Sequence, residues 1–262
     1  MSTRITKRFN RLMKEGGKAF IPYIMAGDPT LERTAELIKI LEEAGADIIE
    51  LGVPFSDPVA DGPVIQEAGE RARKAGVTLR KVLAFVKEMR EKTQVPLILM
   101  TYYNPVFKYG EEAFMRDAAQ AGVDGLIVPD MPVEEGDTII PLARRNGINV
   151  IMLAAPTSGE ERLKKVARAS EGFVYYVSIT GITGARLEMD QGIASSIETL
   201  RRFMNNKKPI AIGFGVSTPE EAARVAGIAD GVIVGSAIVK KAKEGDIEGF
   251  KNYIASLREA IR

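Results

Sequence analysis

The 262-residue sequence contains no cysteine, no histidine and no tryptophan. Without cysteine, disulfide bonds and thiolate catalysis are both excluded. Without histidine, the side chain most often used for general acid–base catalysis near neutral pH is missing, so proton transfer falls to Asp, Glu, Tyr or Lys. A metal site would have to be built from oxygen ligands alone, and we expect none.

An excess of charge and long apolar runs are also lacking. The 36 basic and 35 acidic residues give a formal net charge of +1, which indicates no electrostatic attraction to nucleic acid or to a membrane surface. The opening residues, MSTRITKRFNRLMKEGG, do not contain the apolar core of a signal peptide. No window has the length of apolar sequence that spans a bilayer. We therefore expect a cytoplasmic protein that binds neither nucleic acid nor membrane.

What the sequence does contain is a regular alternation of two patterns. Short apolar segments rich in β-branched residues alternate with stretches whose apolar residues recur at three- and four-residue spacing, such as Leu37, Leu41 and Ala44. This alternation predicts a parallel sheet, and the near-continuous apolar strands indicate that both of its faces are covered. The predicted strands are 19–26, 46–53, 96–103, 125–130, 149–155, 172–178, 209–215 and 231–237.

Eight strand–helix units in a chain of this length predict an α/β fold of the closed (β/α)₈ barrel type, the TIM barrel. An open doubly wound sheet is the alternative. The helical stretch 3–15 precedes the first strand and is expected to cap the bottom of the barrel. Because no linker or low-complexity segment is present, we expect a single domain over residues 1–262. In such barrels the chemistry lies at the carboxyl ends of the strands.

Glu50 stands near the carboxyl end of the second predicted strand, at the start of ELGVPFSDPVADGP. Side chains alternate across a strand, so Ile48 and Glu50 share one face while Ile49 and Leu51 take the other. The fully apolar set should face the helices, and Glu50 should then point into the top of the barrel. Desolvation there would raise its pKa, which suits a catalytic acid–base. A Glu paired with a basic residue of a neighbouring strand is the alternative.

The loop after this strand carries two further acids between prolines. Prolines fix φ and stiffen the loop, which could hold Asp57 and Asp61 at defined positions. Asp–Pro and Asp–Gly are also turn signals. For Asp57 alone the turn-forming interpretation is favoured, whereas for Asp61 a catalytic and a turn-forming role both remain open.

Glycine-bearing segments follow the last three predicted strands: ITGITGA, GFGV and VGSAIVKKA. Backbone N–H groups near a helix N-terminus form an anion site, and barrels often place a phosphate beside the loops after strands seven and eight. Gly215, Gly235 and Ser236 lie where that arrangement expects them, and Gly184 could close the site. The pattern therefore predicts a small phosphate ester as substrate.

The stretch SITGITGARLEMDQG, residues 178–192, reads as a long loop before the next helix. Long ordered loops are often active-site lids, and the glycines here would permit closure. Simple surface disorder is the alternative.

Seven motifs are spread along essentially the whole sequence: FIPYIMAGDP, ELGVPFSDPVADGPVIQ, YYNPVF, DGLIVPDMPVEE, TGITGA, IGFGVSTPEEA and VGSAIVK. Through these motifs the sequence resembles the tryptophan synthase alpha subunit family. The resemblance implies the barrel fold already predicted and the cleavage of indole-3-glycerol phosphate to indole and glyceraldehyde 3-phosphate, a retro-aldol reaction.

By this resemblance Glu50 is the general acid–base, which protonates the indole ring carbon and helps to remove the proton of the glycerol hydroxyl. Asp61 would face the indole N–H and stabilise the charge that develops there. Tyr175 matches the family's active-site tyrosine, and Tyr176 should face the opposite way. Thr183 would contact Asp61 when the lid closes. The phosphate-binding positions of the family match Gly184, Gly215, Gly235 and Ser236.

The resemblance also implies an apolar indole pocket and a partner. The pocket residues by position would be Tyr23, Met100, Ile127 and Leu153, which are equally typical of a barrel core. Pro54 and Asp57 resemble positions at the interface with the beta subunit. The partner would be that subunit, in an alpha2-beta2 tetramer, with pyridoxal phosphate bound in the beta subunit and no cofactor in this chain.

Three other interpretations remain open. The chain could be a free-standing lyase of the same chemistry that releases indole without a partner. It could be a sugar-phosphate isomerase on the same barrel, although the DPVADGP loop argues against this. It could also act chiefly as a binding subunit that activates a pyridoxal-phosphate enzyme.

Overall fold

The computed structural model describes residues 3–177, 186–213 and 215–262, with the side chains of 186–191 left out of the description. The strands are β1 (Ala19–Met25), β2 (Ile49–Gly52), β3 (Leu97–Met100), β4 (Gly125–Ile127), β5 (Asn149–Val150), β6 (Leu153–Ala154), β7 (Val174–Val177), β8 (Ile210–Gly213) and β9 (Gly231–Val234). The helices are α1 (Arg4–Glu15), α2 (Leu31–Glu43), α3 (Pro63–Lys74), α4 (Leu79–Met89), α5 (Tyr103–Tyr109), α6 (Glu111–Ala121), α7 (Ile139–Arg145), α8 (Glu160–Ala169), α9 (Arg186–Phe203), α10 (Pro219–Ile228), α11 (Ser236–Lys243) and α12 (Ile247–Ile261).

All the described strand pairs are parallel, and the sheet runs in the order β5-β4-β3-β2-β1-β9-β8-β7-β6. Its two outer members belong to one chain segment, because only Ile151 and Met152 separate β5 from β6. The Ile151 N–H donates to Leu126 O of β4 at 2.9 Å, and the Tyr175 N–H of β7 donates to Met152 O at 3.1 Å. The segment thus joins both ends of the sheet, and the predicted closed barrel of eight strand–helix units is confirmed.

The barrel has two apolar layers. The inner layer contains isoleucines in or directly beside neighbouring strands, namely Ile21, Ile48, Ile98, Ile127, Ile151 and Ile233. The outer layer packs the opposite face of the strands against the surrounding helices, for example Ile49 and Leu51 of β2. This division follows from the alternation of side chains along each strand.

Helix α1 closes the bottom of the barrel, as the sequence predicts. Its buried residues Ile5, Phe9 and Leu12 belong to the inner layer, and the ring of Phe9 lies 5.5 Å from that of Phe173. Thr3 caps the helix N-terminus and also donates to Asn149 Oδ1 at 2.6 Å. The helix ends where Gly16 adopts a φ of 71°, a left-handed conformation that favours glycine.

Aspartates at the bottom of three strands form what we call the aspartate clamps: Asp47, Asp124 and Asp230. Each carboxylate accepts a backbone N–H from the first or second residue of the neighbouring strand, namely that of Phe20, Leu97 and Ile210 respectively, at 2.9 Å. Each is also paired with arginine: Asp47 with Arg8 and Arg258, Asp124 with Arg4 and Arg90, and Asp230 with Arg201. The clamps therefore fix the bottom of the barrel by charge-assisted hydrogen bonds.

Threonines begin several of the outer helices by accepting a backbone N–H of the first turn. They are Thr30 before α2, Thr78 before α4 and Thr218 before α10, where Glu221 completes a capping box. Among the residues that the structure describes, no helix has the length and apolar character to cross a membrane.

Candidate active site

A cavity of about 410 Å³ opens at the carboxyl ends of the strands. It is lined by residues of the strand ends and of the loops that follow β2, β4, β8 and β9. Its size is that of a site for a small organic substrate. The lining brings together the acids Glu50 and Asp61 of β2 and its following loop with Gly215 and Gly235, which follow β8 and β9. The sequence predicts this grouping.

Glu50 lies at the inner end of this cavity, in the middle of β2. Its side chain is 1% exposed, while its neighbours Ile49 and Leu51 pack in the outer layer, as strand alternation predicts. Burial, together with the nearby charge of Asp61, raises the pKa of Glu50 to about 8. The carboxyl group is therefore largely protonated at neutral pH and can donate a proton.

Asp61 lines the same cavity from the loop between β2 and α3. Partial burial raises its pKa to about 6, and a hydrogen bond with the Tyr102 hydroxyl acts in the opposite direction. At neutral pH Asp61 is therefore mostly ionised while Glu50 is mostly protonated. Two carboxyl groups in one cavity thus have opposite protonation states, which is the arrangement expected of an acid and a charge-stabilising group.

Tyr102, which sequence reasoning did not single out, organises this loop. Its hydroxyl accepts the N–H of Ala60 at 3.0 Å, and its ring stacks on Phe55 with 5.2 Å between ring centroids. The side chain therefore holds the loop from both ends and contacts Asp61. The signal was present in the YYNPVF motif, directly after the third strand, but the sequence did not indicate which loop the tyrosine would meet.

Tyr175 and Tyr176 of β7 face opposite ways. Tyr175 lines the cavity, whereas Tyr176 is fully buried in the outer layer. Burial, followed by the nearby charge of Glu50, raises the pKa of Tyr175 well above its ordinary value, so its phenol keeps its proton.

The opposite end of the cavity is built from small residues. Gly215 and Ser217 from the loop after β8, and Gly235 and Ser236 from the start of α11, all line it. Gly235 is the residue immediately before the first turn of α11, so the unpaired N–H groups of that turn lie at the cavity. Gly215 has a φ of 70°, which favours glycine. The backbone here can bind an anion.

Two predicted residues, Thr183 and Gly184, lie outside the described residues. The prediction of a loop over 178–192 is wrong in its second part, because helix α9 already begins at Arg186. The residues RLEMDQG, 186–192, belong to that helix.

The four residues expected in an indole pocket, Tyr23, Met100, Ile127 and Leu153, all line the cavity. They come from the inner faces of β1, β3, β4 and β6. Sequence reasoning missed Ile65, Pro129, Val177 and Ile233, which also line it. Val177 could have been found, because it lies two residues beyond Tyr175 and so shares its face.

The expected partner-interface residues differ in their exposure. Asp57 is exposed, whereas Pro54 is buried and can influence a surface only through the loop that it shapes. Among the described residues no group of acidic side chains has the arrangement of a metal site.

The mouth of this closed (β/α)₈ barrel combines a proton-donating carboxyl group, an ionised carboxylate and a glycine-lined anion site. This combination is typical of barrel enzymes that perform acid–base chemistry on small phosphate esters. Comparison with known proteins is more specific. The sequence profile of the family described as "Tryptophan synthase alpha chain" matches residues 9–261. The chain belongs to this family.

Individual relatives agree. The chain is 49% identical over 264 residues to the tryptophan synthase alpha chain of Geotalea uraniireducens, covering 99% of this chain and 98% of the relative. It is 52% identical over 259 residues to that of Geotalea daltonii, covering 99% and 97%. Tryptophan synthase subunit alpha from Legionella pneumophila superposes with a TM-score of 0.90 at 37% identity, covering 100% of this chain and 99% of that one.

The family establishes the reaction. The chain is a carbon–carbon lyase that cleaves indole-3-glycerol phosphate in tryptophan biosynthesis. An alpha chain needs no cofactor for this step, and pyridoxal phosphate belongs to the beta subunit with which alpha chains associate.

Proposed function

We propose that Glu50 and Asp61 carry out the cleavage of indole-3-glycerol phosphate as a general acid–base and a charge-stabilising group. The observation that carries this proposal is their common cavity, in which Glu50 is 1% exposed with a pKa of about 8 and Asp61 has a pKa of about 6.

The reaction needs a proton on the indole ring carbon that carries the glycerol chain. Glu50, protonated at neutral pH, donates that proton, and the positive charge spreads to the indole nitrogen. The ionised carboxylate of Asp61 faces the N–H and stabilises this charge. The protonated ring is then the electron sink into which the carbon–carbon bond breaks.

Bond cleavage leaves an aldehyde on the departing chain. The adjacent glycerol hydroxyl loses its proton to the Glu50 carboxylate, its oxygen forms the carbonyl, and the electrons of the broken bond restore neutral indole. Glu50 thus gives one proton and recovers another, so the group ends the cycle as it began. Tyr175 packs beside the ring and keeps its proton throughout.

The two ends of the substrate have separate binding regions in this proposal. The phosphate binds to Gly215, Gly235 and Ser236, where it meets backbone N–H groups at the start of α11. Gly184 and Thr183 would complete this end and the lid from outside the described residues. The indole ring packs between the apolar side chains Tyr23, Met100, Ile127 and Leu153.

Glu50→Gln tests the assignment. The amide retains the shape of the side chain but can neither donate nor accept the required proton, so we expect kcat for indole release to fall roughly 10²- to 10⁴-fold. Binding of a substrate analogue should change little. Glu112→Gln, on an exposed position of α6, is the matched control and should retain full activity. Substantial turnover by Glu50→Gln would refute the role.

We also propose that the chain works with a beta subunit in an alpha2-beta2 tetramer, and that its setting is cytoplasmic. Support for a partner comes from large exposed apolar side chains near the cavity mouth: Val59, in the loop after β2, is 82% exposed, and Phe107 of α5 is 63% exposed. Asp57 lies on the same loop as Val59. The whole chain, residues 1–262, is proposed as one domain, since α12 packs on α2, α10 and β1.

A further inference from the structure

Tyr23 is more than an apolar wall of the indole pocket. A Cβ atom placed on Gly52 would lie 1.9 Å from the Tyr23 hydroxyl oxygen and 2.6 Å from the ring carbon that carries it. The hydroxyl therefore occupies the space in which residue 52 would have its side chain. Gly52 and Glu50 are two residues apart on β2, so this space lies on the same inner face as the Glu50 carboxyl.

The strand register puts Tyr23 between the two ends of the cavity. On one side Tyr23 pairs with Glu50, and on the other the pairing of Pro22 with Val234 brings Gly235 alongside. A Cβ atom on Gly235 would lie 3.7 Å from the Tyr23 Cβ. Tyr23 thus adjoins both the end of the cavity that carries Glu50 and the end that carries Gly235.

The Tyr23 hydroxyl is a hydrogen-bond donor at the wall of the cavity. Tyr23 is 5% exposed and lines the cavity. Burial, and then the charges of Asp61 and Glu50, raise its pKa well above the ordinary value, so the phenol is protonated across the working pH range. Buried tyrosine hydroxyls normally find a hydrogen-bond partner, and here the hydroxyl faces the space that the substrate fills.

The part of the substrate that spans these two ends is its glycerol chain. With the indole ring at Glu50 and Asp61 and the phosphate at Gly235 and Ser236, the hydroxylated carbons pass Tyr23. We propose that the Tyr23 hydroxyl hydrogen-bonds the glycerol hydroxyls and makes Tyr23 a specificity residue for indole phosphates with a hydroxylated chain. This inference rests on the proposed binding mode of the substrate.

Tyr23→Phe tests it, because the ring that packs against indole is kept and only the hydroxyl is removed. Two ligands are compared: indole-3-glycerol phosphate as substrate, and indole bearing a propyl phosphate chain without hydroxyls as inhibitor. We expect kcat/KM for the substrate to fall roughly tenfold, the effect of losing one hydrogen bond. The inhibition constant of the deoxy ligand should stay unchanged.

Equal losses with both ligands would overturn the proposal in favour of a purely apolar role, and so would unchanged values with both. Tyr176→Phe is the matched control: it removes a buried hydroxyl from the outer face of β7 and should alter neither constant. Thermal unfolding of both variants verifies the fold. Failure of the proposed function would appear separately, as persistent turnover by Glu50→Gln. The Tyr23→Phe test depends only on whether the variant changes kcat/KM of the substrate more than it changes the inhibition constant of the deoxy ligand.

Discussion

At the scale of single residues, the site depends on one chemical group placed in two surroundings. Glu50 and Asp61 both carry carboxyl groups and burial raises the pKa of both. The charge of Asp61 raises the pKa of Glu50 further, while the Tyr102 hydroxyl lowers that of Asp61. The protein thus obtains an acid and an anion near neutral pH without any histidine.

These values predict a bell-shaped pH dependence of kcat/KM. Below about pH 6 the Asp61 carboxylate becomes protonated and loses its stabilising charge, and above about pH 8 Glu50 loses the proton that it must donate. Initial rates of indole release between pH 5 and pH 9 at constant ionic strength measure the profile. A rate that keeps rising through the alkaline range would contradict the role of Glu50 as acid.

Asp61→Asn separates the two limbs of this profile. The variant should lose most of its turnover, because a neutral amide stabilises a positive charge poorly. Its remaining activity should no longer fall near pH 6. The alkaline fall should persist but move below pH 8, because the charge of Asp61 no longer helps to raise the pKa of Glu50. A variant that alters only thermal stability would support the turn-forming interpretation of Asp61.

The inner residues of the site could be predicted from the sequence, and the contacts between loops could not. Glu50 and Tyr175 follow from strand alternation, which is local. Tyr102 reaches Asp61 across 41 sequence positions, a contact that depends on how two loops meet after the barrel has closed. The position of the Tyr23 hydroxyl over Gly52 likewise depends on the register of β1 against β2.

At the scale of elements, the strands could be predicted from the sequence because each is a short apolar run between glycines and polar turns. The predicted strand 149–155 is split into β5 and β6, since its backbone turns from one neighbour to the other at Ile151 and Met152. The start of α9 was missed because its first residues follow a glycine-rich segment and include Gly192, a poor helix former.

The aspartate clamp at Asp124 gives a prediction about stability. Asp124→Asn leaves the Arg90 guanidinium, which is 10% exposed, without its countercharge. We expect the free energy of unfolding to fall by about 3 kcal/mol, as for other broken buried ion pairs. Urea unfolding followed by circular dichroism measures the loss.

Glu15→Gln is the control for this variant. It breaks the exposed Arg11–Glu15 pair of α1 and should leave the urea midpoint unchanged. Since Asp124 lies at the bottom of the barrel, kcat of Asp124→Asn should match that of the unmodified protein at temperatures well below unfolding. An unchanged urea midpoint would mean that the clamp adds nothing to stability.

At the scale of the whole molecule, the two ends of the barrel have different tasks. The bottom carries α1 and the aspartate clamps, while the top carries the cavity and the exposed side chains Val59 and Phe107. A partner that binds the top end would lie beside the cavity mouth. This arrangement would let binding of a partner influence the loops of the site directly.

Phe107→Ser tests the proposed partner surface. Burying a phenylalanine side chain contributes about 1.5–3 kcal/mol, so its loss should weaken association with a purified beta subunit roughly tenfold or more. Isothermal titration measures the affinity, and sedimentation of the unmodified pair measures whether the complex is an alpha2-beta2 tetramer. Met13→Ser, 51% exposed on α1 at the other end, is the control. Equal affinities of the two variants would exclude this surface.

The position of α1 at the bottom of the barrel has a consequence for the order in which the chain folds. This helix precedes every strand, yet Arg4 and Thr3 bond to partners 120 and 146 positions later. Its docking surface exists only after those distant segments have come together, so long-range contacts of this kind form late. In pulsed hydrogen exchange during refolding, the amides of α1 should gain protection after those of β2–β4, and earlier protection would contradict this order. A fluorescent probe attached to the outer face of α1 would then report the completion of the barrel rather than the early collapse of the unfolded chain.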